Sequence, residues 1–125
     1  MPLLVTVGVA ELTVAVLSGW LMVLVVRAPA VLRRAGVRQL KRIRQAHLDL
    51  VMMGVIQVAV GAAVQPMAGW IAALIAFGAI AQPLGFLPLA LRPQLVRAPA
   101  FQVLAAVVFT ATTVGWVALA VRVIT

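Results

Sequence analysis

Apolar side chains run almost unbroken through four stretches of the chain, residues 3–26, 46–64, 67–91 and 100–121. Each approaches or exceeds the ~20 residues that span roughly 30 Å of hydrocarbon. Backbone in hydrocarbon has to satisfy its own hydrogen bonds, so the pattern predicts transmembrane helices. The expected fold is all-α: a single domain over residues 1–125, built as an integral membrane bundle of four transmembrane helices.

Polar residues collect between these runs. The first connection holds Arg27, Arg33, Arg34, Arg38, Lys41, Arg42 and Arg44. The second, Gln65-Pro66, carries no charge, and the third holds Arg92 and Arg97. Nine basic residues therefore flank one side of the bundle and one, Arg122, the other. This bias predicts both termini outside, with the first and third connections in the cytoplasm of a multi-pass cell-membrane protein. Beyond Pro29, Leu32, Gly36, Leu40 and Ile43 recur on one face at helical spacing, and Arg33, Arg34, Arg38, Lys41 and Arg42 take the other. That amphipathic pattern predicts an in-plane helix on the inner leaflet, held by anionic lipid. A basic loop that only fixes topology is the alternative. The pentapeptide Val26-Arg27-Ala28-Pro29-Ala30 returns as Val96-Arg97-Ala98-Pro99-Ala100, which suggests two duplicated hairpins or a chance recurrence of abundant residues. Both prolines suit the first turn of a new helix. Pro83 and Pro88 interrupt the third run and predict a kink there. Trp70 and Trp116 fall where amphipathic rings mark the outer interface.

Composition strengthens this picture. Hydrophobic residues make up 66% of the 125 and mean hydropathy is +1.22. Soluble domains are close to half apolar. The net charge of +8 would suggest nucleic acid in a soluble chain, but its concentration between spans reads as topology and lipid contact. The absence of Cys removes thiolate chemistry and disulfides. The N-terminal run has no basic segment before it, carries Glu11 and is too long for a signal peptide.

Ionisable groups within spans are costly and therefore mark candidate sites. Three qualify: Glu11, His47 and Asp49. His47 is the one histidine and lies near the start of the second run. It reads equally as a metal ligand or as an interfacial imidazole bonded to a carbonyl or lipid phosphate. Asp49, two residues on, points to nearly the opposite face, where Arg42 or Arg44 would balance it. Glu11 lies too deep to meet His47, at ~1.5 Å of rise per residue. Gln57 lies near its depth, so a buried Glu11–Gln57 hydrogen bond is expected, with Glu11 keeping its proton. Gln82, before Pro83, would line a polar cavity or bond a freed carbonyl. Ser18, beside Gly19, reads as a small packing residue.

The stretch Ala46-His47-Leu48-Asp49-Leu50-Val51-Met52-Met53-Gly54, then Val58 to Gly61, Trp70, Phe77-Gly78-Ala79 and Gln82-Pro83, resembles the hydroxylaminobenzene mutase and styrene oxide isomerase family. Those are small four-helix membrane proteins. The likeness covers residues 41–91. It implies a trimer that holds haem b between subunits, with one His per subunit on the iron and the opposite face open. Ferric iron then acts as a Lewis acid on a small aromatic epoxide or hydroxylamine and rearranges it without net redox change. His47 matches the iron ligand, which suits an open axial position. Arg42 and Arg44, at the same level, would pair with the propionates. Met53, Phe77 and Gln82 stand at the family's substrate-pocket positions. The chain departs from the family where Met53 replaces an Asn, where Gln82 replaces a later Asn, and in having no Tyr.

Two other classes remain open on the residues. One is a small proton-coupled multidrug-type transporter that uses Glu11, in the manner of four-helix exporters with a membrane Glu. Its long basic connection and lack of Tyr count against it. The other is a non-catalytic membrane subunit.

Overall fold

A computed structural model describes residues 1–125. The chain is helical throughout and forms no strand. Helix α1 runs Leu3–Arg27, α2 Pro29–Arg34, α3 Leu40–Ala63, α4 Gly69–Leu91 and α5 Pro99–Ile124. A short 3-10 turn, Pro93–Arg97, joins α4 to α5. Helices α1, α3, α4 and α5 are each long and apolar enough to cross a membrane. They pack in chain order, each on the next, and α1 also reaches α4. The molecule is an integral membrane four-helix bundle.

Burial follows the demands of lipid. The interior is narrow, and α4 carries the largest share of it, including Ile71, Ala72, Ile75, Ala76, Gly78 and Ala79. Helices α1 and α5 expose long rows of Val and Leu, and Val16, Leu17, Val103, Leu104 and Phe109 all face outward. Water would penalise such a surface, but lipid tails are as apolar as these side chains. Close approach of small residues holds the helices together instead. A Cβ placed on Gly8 would come within 2.7 Å of the Gly54 carbonyl oxygen, and one on Gly61 within 2.9 Å of the Val5 nitrogen. Glycine at these positions brings α1 and α3 nearly backbone to backbone, where dispersion contacts are densest.

The basic connection corrects one expectation. Residues 29–45 do not form a single in-plane helix: α2 ends after Arg34, and the chain turns at Gly36, whose φ is +104°. Val37 donates its N–H to the Leu32 carbonyl and Gly36 donates to that of Arg33. This pair of bonds is a Schellman closure, which needs a left-handed residue at Gly36. Leu32 and Val37 then pack together with Ile43 and Ala90 in a second core at the basic end. The N–H groups of Arg38 and Gln39 both donate to the Ala90 carbonyl, at 2.8 and 3.1 Å, which ties the turn to the end of α4. The basic residues after the turn belong to α3, which starts at Leu40, well before the apolar run at 46.

Both repeated Ala-Pro pairs start helices, with Pro29 and Pro99 in the first turn. The helices differ, since one has 6 residues and the other is a span of 26. Helix α4 continues through Pro83 and Pro88. Trp70 is the second residue of α4 and half exposed, whereas Trp116 packs against the core at the end of the bundle away from the basic connections.

Candidate functional site

Polar side chains are few in this bundle, and three small constellations account for most of those within the spans. The first joins α1 to α3 at His47. The ring Nδ1 lies 2.7 Å from Ser18 Oγ, and Ser18 Oγ donates to the Ala15 carbonyl at 2.8 Å. A hydroxyl has one proton, and here the backbone takes it. Ser18 can therefore only accept from the ring, so a neutral His47 carries its proton on Nδ1 and its lone pair on Nε2. No hydrogen bond within the chain engages Nε2. A second partner that fixes the tautomer in this way is how proteins prepare a histidine for metal ligation.

The ring edge passes over Gly19, where a Cβ would lie 4.0 Å from His47 Cε1. Gly19 also opens onto a groove of about 360 Å³ lined by Met22, Val23, Val26 and Arg27. The groove is shallow, apolar along its length and basic at one end. Sequence reasoning assigned the neighbouring cations to Arg42 and Arg44. Arg42 instead bonds Gln39 at 3.2 Å through Nε and Gln45 at 3.1 Å through Nη1, and Arg44 is exposed. Arg27 is the cation that lines this groove.

The second constellation is the Glu11–Gln57 pair, where Gln57 Nε2 donates to Glu11 Oε1 at 2.9 Å. The bond expected from their depths is present. Glu11 is 5% exposed and Gln57 1%. Gln57 Nε2 also reaches the Met53 carbonyl at 3.3 Å. Glu11 Oε2 and Gln57 Oε1 are buried without a partner. Neither this pair nor the Met53 side chain lines either of the two principal cavities.

The third constellation surrounds a larger cavity of about 680 Å³ between α4 and α5, to which α3 contributes Asp49. Phe77 and Gln82 line it, so two of the three expected pocket residues meet there and Met53 does not. Gln82 Nε2 donates to Thr112 Oγ1 at 3.3 Å, and Thr112 passes its own proton to the Val108 carbonyl at 2.8 Å. Asp49 faces this cavity and not Arg42, whose guanidinium is engaged elsewhere. His47 and Asp49 thus leave α3 in different directions, toward α1 and toward α4–α5.

Sequence reasoning missed Ser18 and Arg27. The signal for Ser18 was partly present in the register. Seven residues along α1 separate Glu11 from Ser18 and ten along the antiparallel α3 separate Gln57 from His47. At ~1.5 Å per residue the register alone leaves Ser18 and His47 nearly one turn apart in depth, so it brings them to the same end of the α1–α3 pair but does not single out their contact.

No group of three or more His, Cys, Asp or Glu comes together, so His47 offers a single strong ligand rather than a share in a cluster. Compared with family models, with curated proteins and with solved structures, the chain matches none.

Proposed function

We propose that this chain is a membrane-bound haem protein of the isomerase or mutase kind, in which His47 ligates the iron through Nε2. The single observation that carries the reading is the chain of contacts from Ala15 through Ser18 to His47 Nδ1. It leaves one neutral nitrogen, oriented and unengaged, within the apolar part of the bundle. The donor set fits haem b with one axial imidazole, and with no Cys or Tyr to compete. When bound, ferric haem with an open face supplies Lewis acidity toward an epoxide or hydroxylamine oxygen.

The residues of this chain do the rest. Ser18 holds the imidazole in its tautomer and plane. Gly19 leaves room for a flat group against the ring edge. Met22, Val23 and Val26 keep water from that side, and Arg27 stands where a carboxylate would seek a cation. Arg44, exposed near the same end of α3, adds to that positive field. Five residues cannot enclose a macrocycle, because a bound cofactor of that size is usually 70–90% buried. A homo-oligomer, a trimer by the resemblance, would cover the other face. The positive bias supports a basic end on the cytoplasmic side of a cell membrane, where it would meet anionic inner-leaflet lipids.

The transporter reading draws less support. Glu11 is committed to Gln57 in the bundle interior and lines neither principal cavity.

The test is rearrangement of an aryl epoxide to the isomeric aldehyde by membranes that contain the chain. The parent should convert it, His47→Ala should not, and Ser18→Ala should be slower by about 10–100-fold, as loss of a partner behind a metal ligand commonly costs. Equal rates for the parent and His47→Ala would refute the proposal.

A further inference from the structure

The cavity between α4 and α5 lies on the far side of α3 from His47, and its chemistry differs from that of the groove. All four phenylalanines of the chain line it: Phe77, Phe86, Phe101 and Phe109. Such a gathering in 125 residues makes an aromatic-lined groove rather than a generic apolar slot, open toward the lipid at Phe77 and Phe109. Its polar side chains are Asp49 and Gln82. Asp49 is a carboxylate that only accepts when ionised. Gln82 has its amide N–H directed to Thr112. Thr112 has already given its proton to Val108, so the amide orientation is fixed and the free atom of Gln82 is the accepting Oε1. Pro88, also in the lining, has no N–H to give the carbonyl of Leu84, which therefore lacks its usual helical donor. No Lys or Arg lines the cavity, so Asp49 has no counter-ion within it.

A groove with side-chain acceptors, no cation of its own and four aromatic rings is complementary to one class of guest. We propose that it binds a lipophilic ammonium ion, with the charged N–H head at Asp49 and Gln82 and the apolar body among the phenylalanines. Coulomb attraction to the carboxylate and cation–π contact with the rings act together there, in a setting where water does not compete. Phe86 and Phe101 lie nearer the basic end of their helices and Phe77 and Phe109 deeper, so rings flank the guest along its length. A volume of about 680 Å³ lies within the range of small-molecule sites. The proposal uses neither His47 nor any residue of the groove beside Gly19 and stands or falls apart from the haem reading.

The experiment places the full chain in phosphatidylcholine nanodiscs and titrates naphthylmethyl-dimethylammonium by its fluorescence. Methoxymethylnaphthalene serves as the uncharged counterpart, and empty nanodiscs give the partitioning background. The parent should bind the ammonium saturably and more tightly than the ether. Asp49→Asn should weaken the ammonium about tenfold or more and leave the ether unchanged, because only the charge pairing is lost. Gln82→Leu should shift the ammonium in the same direction, and the ether binding of each variant reports that the cavity is intact. His47→Ala should change neither ligand. Equal affinity of ammonium and ether in the parent would overturn the proposal and mark a slot for acyl chains. Ammonium binding lost in His47→Ala but kept in Asp49→Asn would overturn it as well, since the guest would then sit in the other groove.

Discussion

At the scale of single residues, this bundle is governed by what a hydroxyl, an amide and a carboxyl can do without water. His47 stood out in the sequence because it is the one imidazole in an apolar setting. Its partner did not, since a lone serine in a run of Val and Leu looks like any small packing residue. The proton of Ser18 decides the tautomer of His47, and that assignment rests on the 2.8 Å bond to the Ala15 carbonyl, which no sequence pattern reveals. Arg42 shows what sequence position leaves out. Its position beside His47 suggested a role toward a ligand, but two glutamines one turn away on either side hold it along the helix surface. The Glu11–Gln57 pair was legible from depth alone. Both members are buried, and one oxygen on each lacks a partner, so removing either member strands the other. Glu11→Leu should cost about 1–3 kcal/mol, and Glu11→Leu with Gln57→Leu should recover most of that, because two apolar groups of similar shape leave no unpaired dipole. A double-mutant cycle on unfolding in mixed micelles checks this. Additive losses would mean that the two side chains do not act as a pair.

At the scale of elements, the four spans were legible because length and apolar content suffice to identify a helix that crosses lipid. Most of their ends were too, and the start of α3 is the exception. Helix α3 extends back to Leu40 because the polar residues before Ala46 continue the same helix beyond the apolar layer. Hydropathy marks where lipid ends, while hydrogen bonding marks where the helix ends. The in-plane helix failed at Gly36 for a related reason. Helical spacing placed Gly36 on the apolar face, yet glycine just after a helical stretch is also a stop signal, and here the stop prevails because Val37 gains burial with Leu32. The pairing of α1 with α3 depends on glycines that hydropathy cannot weigh. Gly8→Ala would drive a methyl against the Gly54 carbonyl and should destabilise the bundle by about 1–3 kcal/mol, the usual cost of overpacking. Gly69→Ala, with nothing within 4 Å of the new methyl, should be tolerated. Comparing the two by denaturant titration tests the packing, and similar midpoints would argue against a backbone-to-backbone contact.

At the scale of the whole molecule, charge and cavity chemistry divide the bundle into two ends and two sides. Basic residues crowd one end, whereas Arg122 alone marks the other. This asymmetry predicts a cytoplasmic basic end. The chain has no Cys, so single cysteines report location cleanly. Ala35→Cys should react with an impermeant thiol reagent only after the membrane is opened, and Thr125→Cys should react in intact cells. The reverse pattern would contradict the orientation. The two sides are separated by α3, which turns His47 toward α1 and Asp49 toward α4–α5. Two residues apart on a helix was enough to foresee that they diverge. What each would face depended on the packing order of the helices, which a pattern of apolar runs does not encode.

The visible spectrum of the detergent-purified chain is the sharpest test of the proposed role of His47 Nε2 as an iron ligand. The parent, prepared with haem supplied, should show a Soret band that His47→Ala lacks while keeping the same oligomeric state. A parent that stays colourless after reconstitution, or a His47→Ala variant that keeps the full band, would contradict the account.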